Sequence, residues 1–314
     1  LGAENQLARD TPACGGNAMS VRTLCAIGAA LLLGVTASAN AVVSADVPYV
    51  PTPWNVVETM FDMAKVTAAD HLIDLGSGDG RIVIEAVKKR GARGFGIELD
   101  PHLVTIAKEE AQKQGVAGRA TFAEGNLFTF NLHEASVLTM YLYPQVLMHL
   151  RPKLFEQLKP GTRVVSHDYH MDAWKPDLQR EVPVPGKSYG PPISTLYLWV
   201  VPANAAGTWS GQLTLGPPGE APLRFEMKVA QRFQVPEIVA SAGGAPLVVS
   251  DASMHGDEIR FKALQMRGDA TLNLEFSGRI SGETLNGAVR IPGAEARALE
   301  WAANRTERGK IRLD

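Results

Sequence analysis

The chain has 314 residues, 45% apolar and 20% charged, with a formal net charge of −2 and a mean hydropathy of −0.04. Ordinary apolar content with almost no net charge excludes a disordered chain, and the missing basic excess argues against nucleic acid as a partner. The two cysteines, Cys14 and Cys25, are too few for a disulfide framework or a zinc site of their own, and the length suits two domains.

Residues 1–18 are polar and aperiodic and read as an upstream extension. From Met19 the character changes. Met19–Arg22 carries a positive charge, Leu24–Val35 is an apolar run, and Thr36–Ala41 is small, with A-x-A sites at Ala37–Ala39 and Ala39–Ala41. This pattern predicts a secretory signal peptide over 19–41. The run is too short to span a bilayer comfortably, and no lipobox precedes Cys25. Cleavage would give a periplasmic or secreted, thiol-free chain with no stable membrane span. An unused signal would leave it cytoplasmic.

Residues 47–202 alternate strand-like and helix-like text. Strands are expected at 71–76, 94–100, 120–126, 137–143 and 163–169, and helices at 81–90, 101–114 and 144–158. The second of these helices begins with Pro101 and stops at Gly115. Strands separated by helices of 10–15 residues imply a parallel, Rossmann-like α/β sheet. The run 195–201 has no helix after it and suits an antiparallel edge pair. Residues 208–314 show short alternating runs at 209–215, 223–229, 246–250, 258–264, 270–276 and 284–289, separated by Gly, Pro and Asp. They predict an antiparallel all-β barrel or sandwich of about eight strands with balanced charge. Trp209, Trp301 and Phe233 are expected as its core or end plug, with a ligand cavity as the alternative.

The strongest chemical signal is Asp74-Leu-Gly76-Ser-Gly78-Asp-Gly80, which leaves a strand and enters a helix. Glycines let the backbone turn tightly and approach a ligand. Glu98 closes the next strand, 22 positions after Gly76, where a carboxylate can take both hydroxyls of a ribose. The third glycine falls one residue early for a dinucleotide fingerprint, and no lysine follows as a P-loop requires. Asp74 suits a cationic ligand tail such as an amino-acid ammonium. S-adenosylmethionine (SAM) carries such a tail, a ribose and an adenine.

DLGSGDGR followed by GIELD resembles the cofactor motifs of the class I, seven-stranded SAM-dependent methyltransferases, over about residues 47–202. A narrower resemblance, carried by VPYVPTP at 47–53, TMYLYP at 139–144 and PGTRVVSH at 160–167, is to the small lysine methyltransferases that modify mitochondrial ATP synthase c-subunit and adenine nucleotide translocase, and to their bacterial relatives. It implies a SAM-dependent methyltransferase with a protein lysine as acceptor. It further implies that Asp74, Gly76, Ser77, Gly78 and Gly80 line the methionine and ribose side, that Glu98 binds ribose, and that Leu99 lies against adenine. Asn126 stands where the family commonly has an Asp at the adenine amino group. Thr52 and Tyr49 would cover the cofactor as a lid, or simply form a rigid extended linker.

Tyr141 is the residue expected near the transferred methyl, its ring facing a cation. The D/N-P-P-Y motif that amino-methyltransferases often carry at this place is absent, which argues against an Asn- or Gln-directed activity. His167, in the run His167-Asp168-Tyr169-His170, is expected as a catalytic or substrate-recognising group. No metal is expected from a lone His–Asp pair. Two alternatives stay open at this stage: an exported, non-enzymatic binding protein that keeps the fold, and a small-molecule methyltransferase whose β domain shapes the acceptor site.

Overall fold

The computed structural model describes residues 49–188, 190–215, 221–268, 270–293 and 298–314. The extension 1–18, the signal segment 19–41 and both cysteines lie outside them. The described chain starts with helix α1 (Trp54–Ala64), followed by β1 (His71–Leu75), α2 (Arg81–Arg90), β2 (Arg93–Glu98), α3 (Pro101–Lys113) and β3 (Ala120–Glu124). Next come β4 (Val137–Met140), α4 (Pro144–Gln157), β5 (Arg163–His167), β6 (Leu178–Pro183) and β7 (Ile193–Val200).

These strands form one seven-stranded sheet in the order β3-β2-β1-β4-β5-β7-β6. Strands β1 to β5 run parallel, because a helix carries the chain back after each of β1, β2 and β4. β7 joins β5 antiparallel, and β6 pairs antiparallel with β7 on the outside. The late run thus belongs to the expected antiparallel pair at the sheet's edge, and its outer partner is β6, which the sequence pattern does not predict. α1 is also outside the predicted elements. Strand order reverses between β1 and β4, the place where open α/β sheets bind ligands beyond their carboxyl ends.

Local chemistry sets the element ends. Gly80 (φ +79°) starts α2 and Gly91 (φ +67°) ends it, both left-handed. Asp100 caps α3 by accepting from His102 N, with Pro101 in the first turn. β4 and β5 stop at Met140 and His167, short of the expected ends, so Tyr141–Tyr143 and Asp168–Tyr169 are free to turn over the sheet's carboxyl edge. One face of the sheet buries Val56, Met60 and Phe61 of α1 with Ile84 and Val104. The other buries Leu147, Leu150 and Leu154 of α4 with Trp174 and Trp199.

Beyond Pro202 the chain continues as β8 (Gly207–Leu213), β9 (Leu223–Arg232), β10 (Val235–Ala242), β11 (Ala245–His255), β12 (Glu258–Arg267), β13 (Ala270–Ser281), β14 (Thr284–Arg290) and β15 (Ala298–Arg308). They close into an eight-stranded antiparallel barrel. In β9, buried Phe225, Met227 and Val229 alternate with exposed residues, the period of a strand with one face on a core. Trp209 and Trp301 lie in that core with Phe261 and Phe276. Phe233 does not. It sits in the β9–β10 turn and buries itself in the α/β core, parallel to Trp174 and near Phe155. Gln231, 1% exposed, bonds Ala203 O, Phe233 O and Ala205 N, so the linker's polar groups are satisfied at the junction.

Candidate functional site

Four strand ends bring the expected residues together. Asp74 is near the end of β1, Glu98 ends β2, Tyr141 follows β4, and His167 and Asp168 straddle the end of β5. Because β2, β1, β4 and β5 are neighbours in the sheet, these groups occupy one edge.

Glu98 fastens the glycine loop. Its Oε2 accepts from Gly78 N at 2.8 Å, and its Oε1 accepts from Leu99 N at 2.8 Å and Asp100 N at 3.1 Å. The carboxylate is partly exposed at the rim and keeps lone-pair capacity on Oε2 for a ligand hydroxyl. Leu99 is 41% exposed beside it, an open apolar surface. Asp74 differs. It is 2% exposed, and Oδ1 accepts from Thr139 Oγ1 at 2.7 Å. Desolvation raises its pKa to about 7, with the negative charges of Glu98 and Asp79 adding to the rise.

The loop's own residues play unequal parts. Gly76 N and Ser77 N both donate to Ile97 O, which pins the loop to β2. Ser77 Oγ is buried without a partner among the described residues, in the space that a Cβ on Gly96 would need. The Ser77 side chain lies under the loop against Gly96, so Ser77 faces the loop's open side through its backbone. Gly78 has φ +53°, and a Cβ there would run into the Tyr49 ring, 3.0 Å from Cδ2 and nearer still to Cε2. Only glycine lets the strap rest on the loop at this point.

That strap is residues 49–53. The Tyr49 hydroxyl bonds Asp79, and burial together with that acidic partner pushes its pKa up to about 12. Arg81 forms a bidentate pair with Asp79, donates from Nη1 to Thr52 O at 3.1 Å, and lies over the Trp54 ring. Thr52 is 4% exposed and its Oγ1 is 3.2 Å from His167 Nδ1. Thr52 therefore faces the end of β5, and Tyr49 alone of the two lies on the glycine loop.

His167 also departs from expectation. It is 1% exposed, its Nδ1 meets Thr52 and its Nε2 is 2.8 Å from Ser194 Oγ. Burial lowers its pKa to about 4, so the ring is neutral at pH 7. With both nitrogens engaged and solvent shut out, the ring is not an exposed base. Its ring supports Tyr141, at 3.9 Å between centroids. Tyr141 Oη donates to Asp168 Oδ2 at 3.1 Å. Asp168, absent from the expected set as a site residue in its own right, has φ +61° and accepts from Thr195 N at 3.0 Å. Desolvation would raise its pKa, yet the neighbouring cation Lys187 holds the carboxyl below the usual range. Lys187, whose Nζ is 2.6 Å from Asp168 Oδ2, carries no local sequence signal. A proline- and glycine-flanked lysine looks like any solvated turn.

Asn126 is partly buried after Gly125, but its Oδ1 already accepts from Phe128 N at 2.9 Å. It shapes its own turn first and has one lone pair to spare. Among the described residues, no group of three or more His, Cys, Asp or Glu gathers to hold a metal.

The donor set fits SAM. Asp74 and Glu98 put two carboxyls at one loop with no basic partner among the described residues, while Asp79 has Arg81. A cationic ligand relieves that repulsion, and a ribose hydroxyl matches the lone-pair capacity left on Glu98 Oε2.

Comparison with known proteins agrees. The family model described as the ANTKMT methyltransferase domain matches residues 74–178. A protein-lysine N-methyltransferase of Saccharolobus islandicus is 46% identical over 131 residues, covering 41% of this chain and 81% of that protein. The human lysine N-methyltransferase of the ATP synthase c-subunit is 35% identical over 130 residues, covering 41% of this chain and 55% of that protein. This chain thus spans little more than half of the human relative. A solved structure of an RNA methyltransferase from Salinibacter ruber, in complex with S-adenosyl-L-homocysteine, is 51% identical, covering 48% of this chain and 93% of that one, with a TM-score of 0.44.

Proposed function

The chain belongs to the SAM-dependent methyltransferases that include the protein-lysine N-methyltransferases, and on that premise we propose that it transfers a methyl group to the ε-amine of a protein lysine. The observation that carries the reading is the division of one sheet edge into two halves. The β1–β2 half, with the glycine loop, Asp74 and Glu98, has the chemistry of a SAM seat. The β4–β5 half, with Tyr141 and Asp168, offers an aromatic face and a carboxylate, the groups that receive a cationic amine.

SAM, when bound, supplies an electrophilic methyl on a positively charged sulfur. The residues of the chain do the rest. Glu98 orients the ribose, and Leu99 gives adenine an apolar face. Asp74 neutralises the cationic tail. Tyr49 and Arg81 hold the strap over the loop, with Thr52 anchoring it to His167, and keep water off the sulfur. Tyr141 and Asp168 align the acceptor nitrogen, the larger part of catalysis for a displacement that needs proximity and direction. The nitrogen must first give up a proton, which Asp168 can pass to solvent at the rim.

Calorimetric titration of the purified chain with SAM tests the cofactor half. Saturable binding is expected, weakened at least tenfold (about 1.4 kcal/mol) by Glu98→Ala. A flat titration for the unaltered chain overturns the reading. Incubation with methyl-labelled SAM and poly-L-lysine tests the other half, with methyl-lysine in the hydrolysate expected. We also propose export, supported by the 19–41 segment. The mature N-terminus in fractionated bacteria, at residue 40 or 42 or else uncleaved, checks it.

A further inference from the structure

An amine already stands at the acceptor half of the edge. The connection between β6 and β7 exposes Pro185, Gly186, Ser188 and Gly190, yet turns Lys187 inward. The Lys187 side chain is 10% exposed, and Nζ donates to Asp168 Oδ2 at 2.6 Å and to Ile193 O at 2.9 Å. Tyr141 Oη donates to the same Oδ2. Asp168 is held for this by its left-handed backbone and by Thr195 N on its other oxygen. A buried ion pair is a poor source of stability, since desolvating two charges offsets most of their attraction. Its presence at a ligand edge needs another reason.

The shape supplies one. A four-carbon stem enters from an exposed rim and delivers an ammonium to a carboxylate and a tyrosine hydroxyl. We propose that Lys187 is an internal surrogate of the acceptor: Asp168 and Tyr141 are the seat of the substrate lysine's ammonium, and Lys187 occupies that seat until a substrate lysine displaces it. This rests on the reading that the acceptor is a lysine. Exchange of one ammonium for another keeps the charge of Asp168 matched, so displacement costs little. The seated acceptor then loses a proton to solvent through Asp168. Its nitrogen lone pair forms the N–C bond, and the C–S bond breaks with its electrons left on sulfur. The same contact makes the seat selective, because a neutral side chain cannot replace the ion pair that it breaks.

The test uses the full chain, saturating SAM and n-butylamine as a free lysine side chain, with N-methylbutylamine followed by mass spectrometry. Lys187→Ala vacates the seat. The butylamine KM is expected to fall at least tenfold with kcat within about twofold, while the SAM Kd stays at the wild-type value. Adding Asp168→Asn to Lys187→Ala is expected to abolish the gain. Should Lys187→Ala fold poorly, Lys187→Met takes its place, again leaving Asp168 unpaired, with KM falling in the same direction. A KM that is unchanged or raised, or a gain that survives Asp168→Asn, overturns the proposal while SAM binding and poly-L-lysine methylation stand. Loss of those two in the unaltered chain would mark failure of the underlying reading instead.

Discussion

Asp74 carries the sharpest conflict between burial and charge in the molecule. Its carboxyl is desolvated, has one hydroxyl partner, and faces like charges, which together lift its pKa to about 7. A cation placed beside it reverses that balance. SAM binding should therefore favour the ionised form and release a proton when the pH is below about 7. The expected outcome is a Kd that rises as pH falls from 7.5 toward 5.5, by at most roughly tenfold per unit for one proton. Asp74→Asn flattens the dependence, and calorimetry in buffers of different ionisation heat reads the proton directly. The ligand-free chain shows a second consequence. Between its usual 3.8 and about 7, folded Asp74 keeps a proton that the unfolded chain has lost, so its contribution to stability falls as pH rises through that window. His167 works the other way. Its folded pKa of about 4 lies under the usual 6.5, so its contribution is lost as pH falls from 6.5 toward 4. Thermal melts of Asp74→Asn should thus gain stability relative to the unaltered chain on going from pH 4 to pH 7.

At the scale of elements, the strap and the glycine loop depend on one missing side chain. A methyl on Gly78 meets two separate penalties: a left-handed backbone, costing roughly 1–2 kcal/mol for an L-residue, and a collision with the Tyr49 ring. Gly78→Ala is expected to lose at least that backbone cost in a denaturant melt. Tyr49→Ala alone should change stability little, because the ring is 43% exposed. In the double variant the collision is gone and the backbone cost remains, so the cycle should show coupling of more than about 0.5 kcal/mol. Additive losses would mean the strap does not rest on the loop. The loop itself is legible in the sequence, because strand, glycines, helix and Glu98 fall within the 28 consecutive residues 71–98, whose periods and spacing are local. α1 carries a signal too, unused in the strand–helix alternation: Val56, Val57, Met60, Phe61 and Ala64 form a buried helical stripe. β6 carries almost none. It buries only Val182 of six residues, and an edge strand exposed on both faces has no alternation to read. Lys187 and Asp168 meet across 19 residues through a hairpin whose register only the sheet defines, so that pairing is invisible in the sequence while the glycine loop is not.

The whole molecule is joined where the barrel places Phe233 in the α/β core. Phe233 holds φ +50°, a conformation that costs a bulky residue about 1–2 kcal/mol, and it does so to bury a ring that is 2% exposed. Full burial of such a side chain contributes about 1.5–3 kcal/mol, so the two nearly offset unless the site adds more. It does. Trp174 lies parallel to the ring, Arg151 and Arg232 approach it at 5.1 Å and 5.6 Å, and Arg151 also donates to Leu313 O, drawing in the chain's last residues. The turn therefore acts as a fastener between two domains that each have their own core. Phe233→Ala keeps the positive φ and removes the ring, leaving a cavity against Trp174 and Phe155. The expected loss is about 3–5 kcal/mol from the joined structure. Because the barrel core does not use Phe233, that loss should fall on the junction and the α/β domain. Differential scanning calorimetry is expected to resolve two transitions in Phe233→Ala where the unaltered chain gives one, with the barrel melting at the higher temperature. A single transition shifted as a whole would show instead that barrel and sheet unfold as one unit without this ring.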